Sequence, residues 1–214
     1  MPTQDYRLLS GERAPGVTTV NKNIGWSTEN LIRWANRQGL DGIDIRSARG
    51  RAAASIGTLV HAVIEAEVLG TAPPDIPEEY KARVDQGLQT FQRWRRQTQI
   101  EIVATEVYGV DEEYKAGWCV DAITKESDGL GVMDYKSGKG PFPEHFIQVA
   151  AYAHFFERLT GIALCGAHIG RFSTETGIFH QVFFPRYILD VGFKAWTWAR
   201  ALHQVRPMIE GYVR

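Results

Sequence analysis

Gly117-Trp118-Cys119-Val120-Asp121-Ala122-Ile123-Thr124-Lys125-Glu126-Ser127-Asp128-Gly129-Leu130-Gly131-Val132-Met133-Asp134-Tyr135-Lys136 is the stretch that decides the fold. Glu126-Ser127-Asp128-Gly129 is turn chemistry between two apolar runs, so Gly117–Thr124 and Leu130–Lys136 read as the strands of a hairpin. Folding about Ser127–Asp128 brings Asp121 and Asp134 to within a residue or two of being opposite. Lys136 follows Asp134 by two positions and shares its face of the sheet. Two carboxylates and one ammonium therefore converge from neighbouring strands.

Outward from the hairpin the pattern alternates between strand and helix. Ile102–Val110 precedes it as another strand. After it, Phe142–Leu159 returns to helical period. Ala163–Phe172 and Ile178–Phe184 form two more strands around Thr174-Glu175-Thr176-Gly177, and Tyr187–Ile209 is a closing helix. Upstream, Ser27-Thr28-Glu29-Asn30 starts a short helix carrying Leu31, Ile32, Trp34 and Ala35, ending near Gly39. Residues 47–69 form a longer helix, with Ile56, Leu59, Val60, Val63, Ile64 and Val68 at helical spacing and Gly70 as its stop. Glu78–Gln97 is a third, with Val84, Leu88, Phe91 and Trp94 as its stripe. Residues 1–27 read as irregular. The order predicts an α/β (α+β) chain: one mixed central sheet of about five strands flanked by helices. No domain boundary is evident. Residues 1–214 form one domain, with 1–98 its largely helical N-terminal part.

Composition bounds the class. The 214 residues are 44% hydrophobic and 23% charged, which excludes collagen-like, disordered and disulfide-scaffold chains. No apolar run reaches the ~18–20 residues of a membrane span, and Met1–Ser10 lacks a signal-peptide pattern, so a cytoplasmic location is expected. Cys119 and Cys165 alone cannot supply four thiolates to zinc or an iron–sulfur cluster. The net charge of −1 carries no sign, but the basic residues are mostly Arg, whose planar fork suits phosphate.

Asp121, Asp134 and Lys136 form a recognisable catalytic set. Hard oxygen ligands suit Mg²⁺ or Mn²⁺, which polarise a phosphodiester and lower the pKa of a bound water. A lysine beside them holds that water or steadies charge developing on phosphorus. Acid-x-Lys alone is weak. It occurs also at Glu79-Tyr80-Lys81 and Glu113-Tyr114-Lys115. Only Asp134-Tyr135-Lys136 ends an apolar strand with an acid on the strand before it. Otherwise Asp134 and Lys136 would be a surface ion pair worth under about 1 kcal/mol.

Two helices add polar pairs at four-residue spacing, each on one helical face. Gln148 and Tyr152 interrupt an otherwise apolar helix, where both can donate to phosphate oxygens or be satisfied in the core. His61 and Glu65 lie on the second long helix. A neutral imidazole can ligate a metal, and a lone helical His can equally be structural. Glu106 on the first strand is a further acid, with a solvent-facing strand residue as its plain alternative.

Taken in order, these residues resemble the PD-(D/E)xK nuclease superfamily, and within it the RecB-type exonuclease branch of bacterial recombination nucleases, phage exonucleases and the mitochondrial single-strand exonuclease. The matching pieces are Val17-Thr18-Thr19-Val20, Gly57-Thr58 with His61 and Glu65, Gly117 with Asp121, Asp134-Tyr135-Lys136-Ser137-Gly138, and Gln148 with Tyr152. The resemblance implies a restriction-endonuclease-like core. It implies Asp121 and Asp134 as metal-binding carboxylates, the Tyr135 carbonyl as a further oxygen, His61 as a helical metal ligand and Lys136 as the catalytic lysine. It makes Gln148 and Tyr152 the pair that holds DNA and orients that lysine, and counts Glu65 among the catalytic residues, as a ligand or to orient a water, with Glu106 a further acidic candidate. Several relatives carry a four-cysteine iron–sulfur cluster. With only two cysteines, none is expected here.

The expected activity is that of a Mg²⁺- or Mn²⁺-dependent DNA exonuclease in recombination, repair or phage DNA processing, acting on single strands or duplex ends. Arg33, Arg37, Arg46, Arg49 and Arg51, with Arg93, Arg95 and Arg96, are candidates for a phosphate track. Trp34, Trp94, Trp118 and Tyr135 would stack bases if exposed, with core packing as the alternative. No phosphate-binding loop of a helicase occurs, so a motor would come from a helicase or recombinase partner. An endonuclease or junction resolvase with the same residues, a non-cleaving DNA-binding module, and a plain surface hairpin stay open.

Overall fold

The structure, a computed structural model, describes residues 4–26, 28–42, 44, 48–137 and 142–213, and for 48–55 the backbone alone. Arg46 and Gly138, and the side chains of Arg49 and Arg51, lie outside what is described. The chain runs α1 (Val17–Asn21), α2 (Thr28–Leu40), α3 (Ala48–Leu69), α4 (Glu78–Thr98), β1 (Glu101–Asp111), β2 (Ala116–Glu126), β3 (Gly129–Lys136), α5 (Pro143–Thr160), β4 (Leu164–Phe172), β5 (Phe179–Pro185) and α6 (Arg186–Tyr212). Five strands form one sheet in the order β1-β2-β3-β4-β5. All neighbours are antiparallel except β3 and β4, which are parallel and joined through α5. A parallel pair needs such a crossover, which explains the helix between them. Among the described residues no helix is long and apolar enough to cross a membrane.

Helices cover both faces. On one, α1, α5 and α6 bury Val17, Ile147, Phe155, Trp196 and their neighbours against Trp118, Val120, Ile123, Val132 and Ile169 of the sheet. On the other, α3 and α4 bury Val60, Ile64, Phe91 and Trp94 against Ile102, Ala122, Met133, Tyr135 and Phe172. The β4 backbone lies close to its neighbours because of its glycines. A Cβ on Gly166 would stand 2.4 Å from the Phe184 carbonyl oxygen, and one on Gly170 2.2 Å from the Met133 methyl.

One expectation is corrected at the N-terminus. Residues 1–27 are not wholly irregular. Arg7 and Arg13 pair as an isolated bridge, Leu8 and Tyr6 close the same turn through Glu12 O and Ala14 N, and α1 follows. The signal is short and its support comes from β2, through a bridge between Gly16 and Gly117. Helix α2 forms where predicted, but its apolar residues are not core: Leu31 and Ile32 are 59% and 62% exposed, and none of its described residues is buried.

Candidate active site

The hairpin turns at Ser127–Asp128, with Glu126 opposite Gly129. Its ladder then runs in register to Ala122 opposite Met133 and stops. One step further, Asp121 and Asp134 would pair. Instead the Asp121 carboxylate accepts the backbone N–H of Tyr135, Oδ2 to N 2.5 Å, in place of a strand carbonyl. The strands open at the position where the two acids meet.

The break extends across β2. Trp118 and Val120 face the α5 layer, while Ala122 faces the α3 layer and Ile123 the α5 layer again, so strand alternation slips at Asp121. On β1 the residue opposite is Glu106, between the pairs Thr105–Ala122 and Val107–Val120. Its φ of 50° is a left-handed conformation that a glutamate adopts at a cost of order 1 kcal/mol. Mid-strand strain of this kind is typical of functional sites.

Four further side chains surround the acids. From α3, His61 Nδ1 stands 3.3 Å from Asp121 Oδ1. Lys136 Nζ makes a close ion pair with Asp134 Oδ2. Gln148 bridges the pair from α5: its Nε2 donates to Asp134 Oδ1 at 3.1 Å, and its Oε1 accepts from Lys136 Nζ at 3.3 Å. The same Nε2 donates to the Tyr152 hydroxyl at 2.8 Å. The hydroxyl lies one helical turn along, as the four-residue spacing requires.

Burial sets the electrostatics. Burial and the Asp121 charge push the Asp134 pKa up to about 6, against the opposing pull of Lys136. Burial also works against ionised Asp121, but His61, Lys136 and the Tyr135 N–H outweigh it and hold its pKa below the ordinary value. For His61, burial disfavours the imidazolium, and the Asp121 carboxylate more than compensates, leaving the pKa raised. One acid is held ionised and the other is poised near neutrality.

The predicted residues distribute as follows. Asp121, Asp134, Lys136, His61, Gln148 and Tyr152 come together. Gln148 and Tyr152 are buried, and their bonds run inward to the acids and the lysine. Glu65 lies one turn beyond His61, close enough for its charge to raise Glu106 and Cys119. Glu106 is itself raised by burial and by Asp121, and its Oε2 lies 3.5 Å from Cys119 Sγ. Arg93 donates to the Gly177 carbonyl at 3.0 Å, at the β4–β5 turn. Arg96 lines a groove with Glu67, Gln92 and Arg95. Neither arginine has a described contact with the acids. Of the proposed base-stacking residues, Trp34 is exposed, whereas Trp94, Trp118 and Tyr135 are buried in the cores. Tyr6 went unnoticed in the sequence although it reaches this region.

The donor set fits a hard divalent cation: two buried carboxylates that repel one another, with an imidazole beside them. As the side chains stand, His61, Lys136, Gln148 and the Tyr135 N–H occupy the carboxylate oxygens. Among the described residues no group of three His, Cys, Asp or Glu is set to hold a metal.

No family model matches the chain, and no curated protein does. Among solved structures, it is similar to a protein from Eubacterium rectale provisionally described as an exonuclease, at 14% identity and a TM-score of 0.48 over 67% of this chain. The chain spans 64% of that protein's length. It is also similar to an alkaline exonuclease from Laribacter hongkongensis, at 13% identity and a TM-score of 0.40, over 73% of this chain and 82% of the other.

Proposed function

We propose that the chain is a metal-dependent deoxyribonuclease that hydrolyses phosphodiester bonds from a DNA end. One observation carries the reading: two buried carboxylates meet where a hairpin ladder opens, with a lysine paired to one of them and a glutamine holding both partners. A surface hairpin would pair its backbone through this point and leave its charges in water. This one sacrifices a ladder position and buries the acids.

Asp121 and Asp134 would hold Mg²⁺ or Mn²⁺, with His61 and the Tyr135 carbonyl as further ligands. The cation supplies Lewis acidity toward the phosphodiester and a lowered pKa for water. Lys136 presents its ammonium beside Asp134, where it hydrogen-bonds an attacking water and offsets negative charge at phosphorus. Gln148 keeps that ammonium and the carboxylate in fixed relation, and the Tyr152 hydroxyl fixes the Gln148 amide. Exposed Arg96 and the half-buried Arg95 supply sequence-independent attraction for the backbone.

The test is incubation of the purified protein with 5′- or 3′-labelled linear DNA, single- and double-stranded, beside covalently closed circles, in Mg²⁺, Mn²⁺ or EDTA. The expected result is metal-dependent loss of linear DNA with circles spared. Lys136→Ala should lower the rate by about 10²-fold or more in protein that circular dichroism shows to be folded. A folded Lys136→Ala that cuts at the wild-type rate would sink the mechanism. Cut circles would replace the exonuclease with an endonuclease or resolvase on the same residues. Binding without cutting in any metal would leave a DNA-binding module.

A further inference from the structure

Beside the carboxylates lies a cavity of about 630 Å³, a size that suits a ligand of a few hundred daltons. Cys119 and Tyr152, both buried, line it. Tyr6, Thr18 and Thr19 of the N-terminal segment and His203 of α6 line it as well. Cys119 and Tyr152 join it to the site. Cys119 meets Glu106 at 3.5 Å, and the Tyr152 hydroxyl accepts from the same Gln148 amide that holds Asp134.

Tyr6 is set into this lining by two glycines. A Cβ on Gly117 would lie 1.9 Å from the Tyr6 ring, and one on Gly16 3.2 Å from it. The ring therefore lies on bare backbone where Gly16 bridges to Gly117. The Tyr6 carbonyl accepts from Ala14 N at 2.9 Å, which ties the segment back on itself. Burial, with Cys119 and Glu106 nearby, keeps the phenol protonated and so a hydrogen-bond donor.

The cavity thus offers an aromatic edge, neutral hydroxyls and an imidazole. Its one arginine, Arg13, is at the rim and paired with Asp5 at 2.7 Å. This is chemistry for a base and sugar, with the phosphate left to the acids and Lys136 next door. Resting on the nuclease reading above, we propose that the cavity receives the terminal nucleoside of the strand being cut, with Tyr6 as the residue that positions it. A cavity of this volume has room for a terminal nucleoside.

The experiment uses the full chain, a linear single-stranded oligonucleotide, and thymidine monophosphate (dTMP) as the probe. Its binding is followed by calorimetry and by inhibition of cleavage. Tyr6→Ala should raise both the KM for the linear strand and the dTMP dissociation constant about tenfold, with kcat changed less than about twofold. Tyr6→Phe, which keeps the ring, should fall between. Gly117→Ala should reproduce Tyr6→Ala by evicting the ring, and should add nothing in a Tyr6→Ala background. A Tyr6→Ala protein that melts like wild type with unchanged KM and dTMP binding overturns the assignment and leaves the nuclease standing. A wild type that cuts no DNA but binds dTMP through Tyr6 overturns the nuclease reading and supports the cavity as a nucleoside site.

Discussion

Asp134 carries the conflict between folding and chemistry at its sharpest. Its folded pKa, about 6, lies above the ordinary value, so the folded state grips a proton the unfolded chain releases. The stability this contributes is complete below the ordinary carboxylate pKa and lost as pH rises through about 6. Asp134→Asn mimics the protonated form. In metal-free protein it should raise the thermal midpoint by a few degrees at pH 8, on the order of 1 kcal/mol, and leave it unchanged at pH 3.5. Thermal melts at the two pH values check this; equal shifts at both would show that burial does not set the titration. By the same sign, divalent-cation affinity should rise with pH through this range, which calorimetry would read. Gln148→Leu, which keeps volume and removes all three hydrogen bonds of the side chain, should lower kcat by about 10–100-fold with KM little changed, because the lysine and the carboxylate lose their common support. The acids and the lysine were legible in the sequence because turn chemistry and strand spacing are local. The slip of alternation at Asp121 was not, since nothing in Val120-Asp121-Ala122 departs from a strand pattern. It becomes visible only when Glu106 and Tyr135 are placed beside it.

At the level of elements, the five strands and the long helices follow from periodicity and turn residues, and their ends differ from expectation by a few residues at most. What escaped is what only distant contacts create: α1, the bridge from Gly16 to Gly117, and the bareness of α2. Apolar spacing in α2 signalled a helix correctly but could not show that it is bare, because spacing says which residues share a face and not what that face meets. Close packing of β4 against β5 offers a test of the sheet. A methyl on Gly166 would meet the Phe184 carbonyl oxygen at 2.4 Å, backbone that cannot swing aside. Gly166→Ala should therefore destabilise the protein by about 1–3 kcal/mol, measured by urea denaturation, and a neutral result would mean that β5 can peel away at low cost.

For the whole molecule, a net charge of −1 means that attraction to DNA is local rather than global. On the proposed reading, with Arg95 and Arg96 at the α3–α4 groove as the basic lining, affinity for single strands should fall with salt along a shallow slope. Arg96→Gln should flatten it by about 0.7, nearly equally for all sequences. Filter binding across a salt series reads this directly; an unchanged slope would place the DNA path elsewhere than the α3–α4 groove. The two helical layers hold the site between them, with His61 entering from one and Gln148 from the other. Anything that loosens one layer should reach the chemistry before it unfolds the chain.

The opened ladder has a consequence for descent. A lineage released from the need to cut DNA, but still selected to stay folded, gains by losing Asp134, since the neutral amide suits the buried position better. Such a lineage should drift to Asn there early, while Asp121, tied to the Tyr135 backbone, lingers as a relic. On the nuclease reading, the order in which the two acids disappear among descendants of this chain would record when cutting was abandoned.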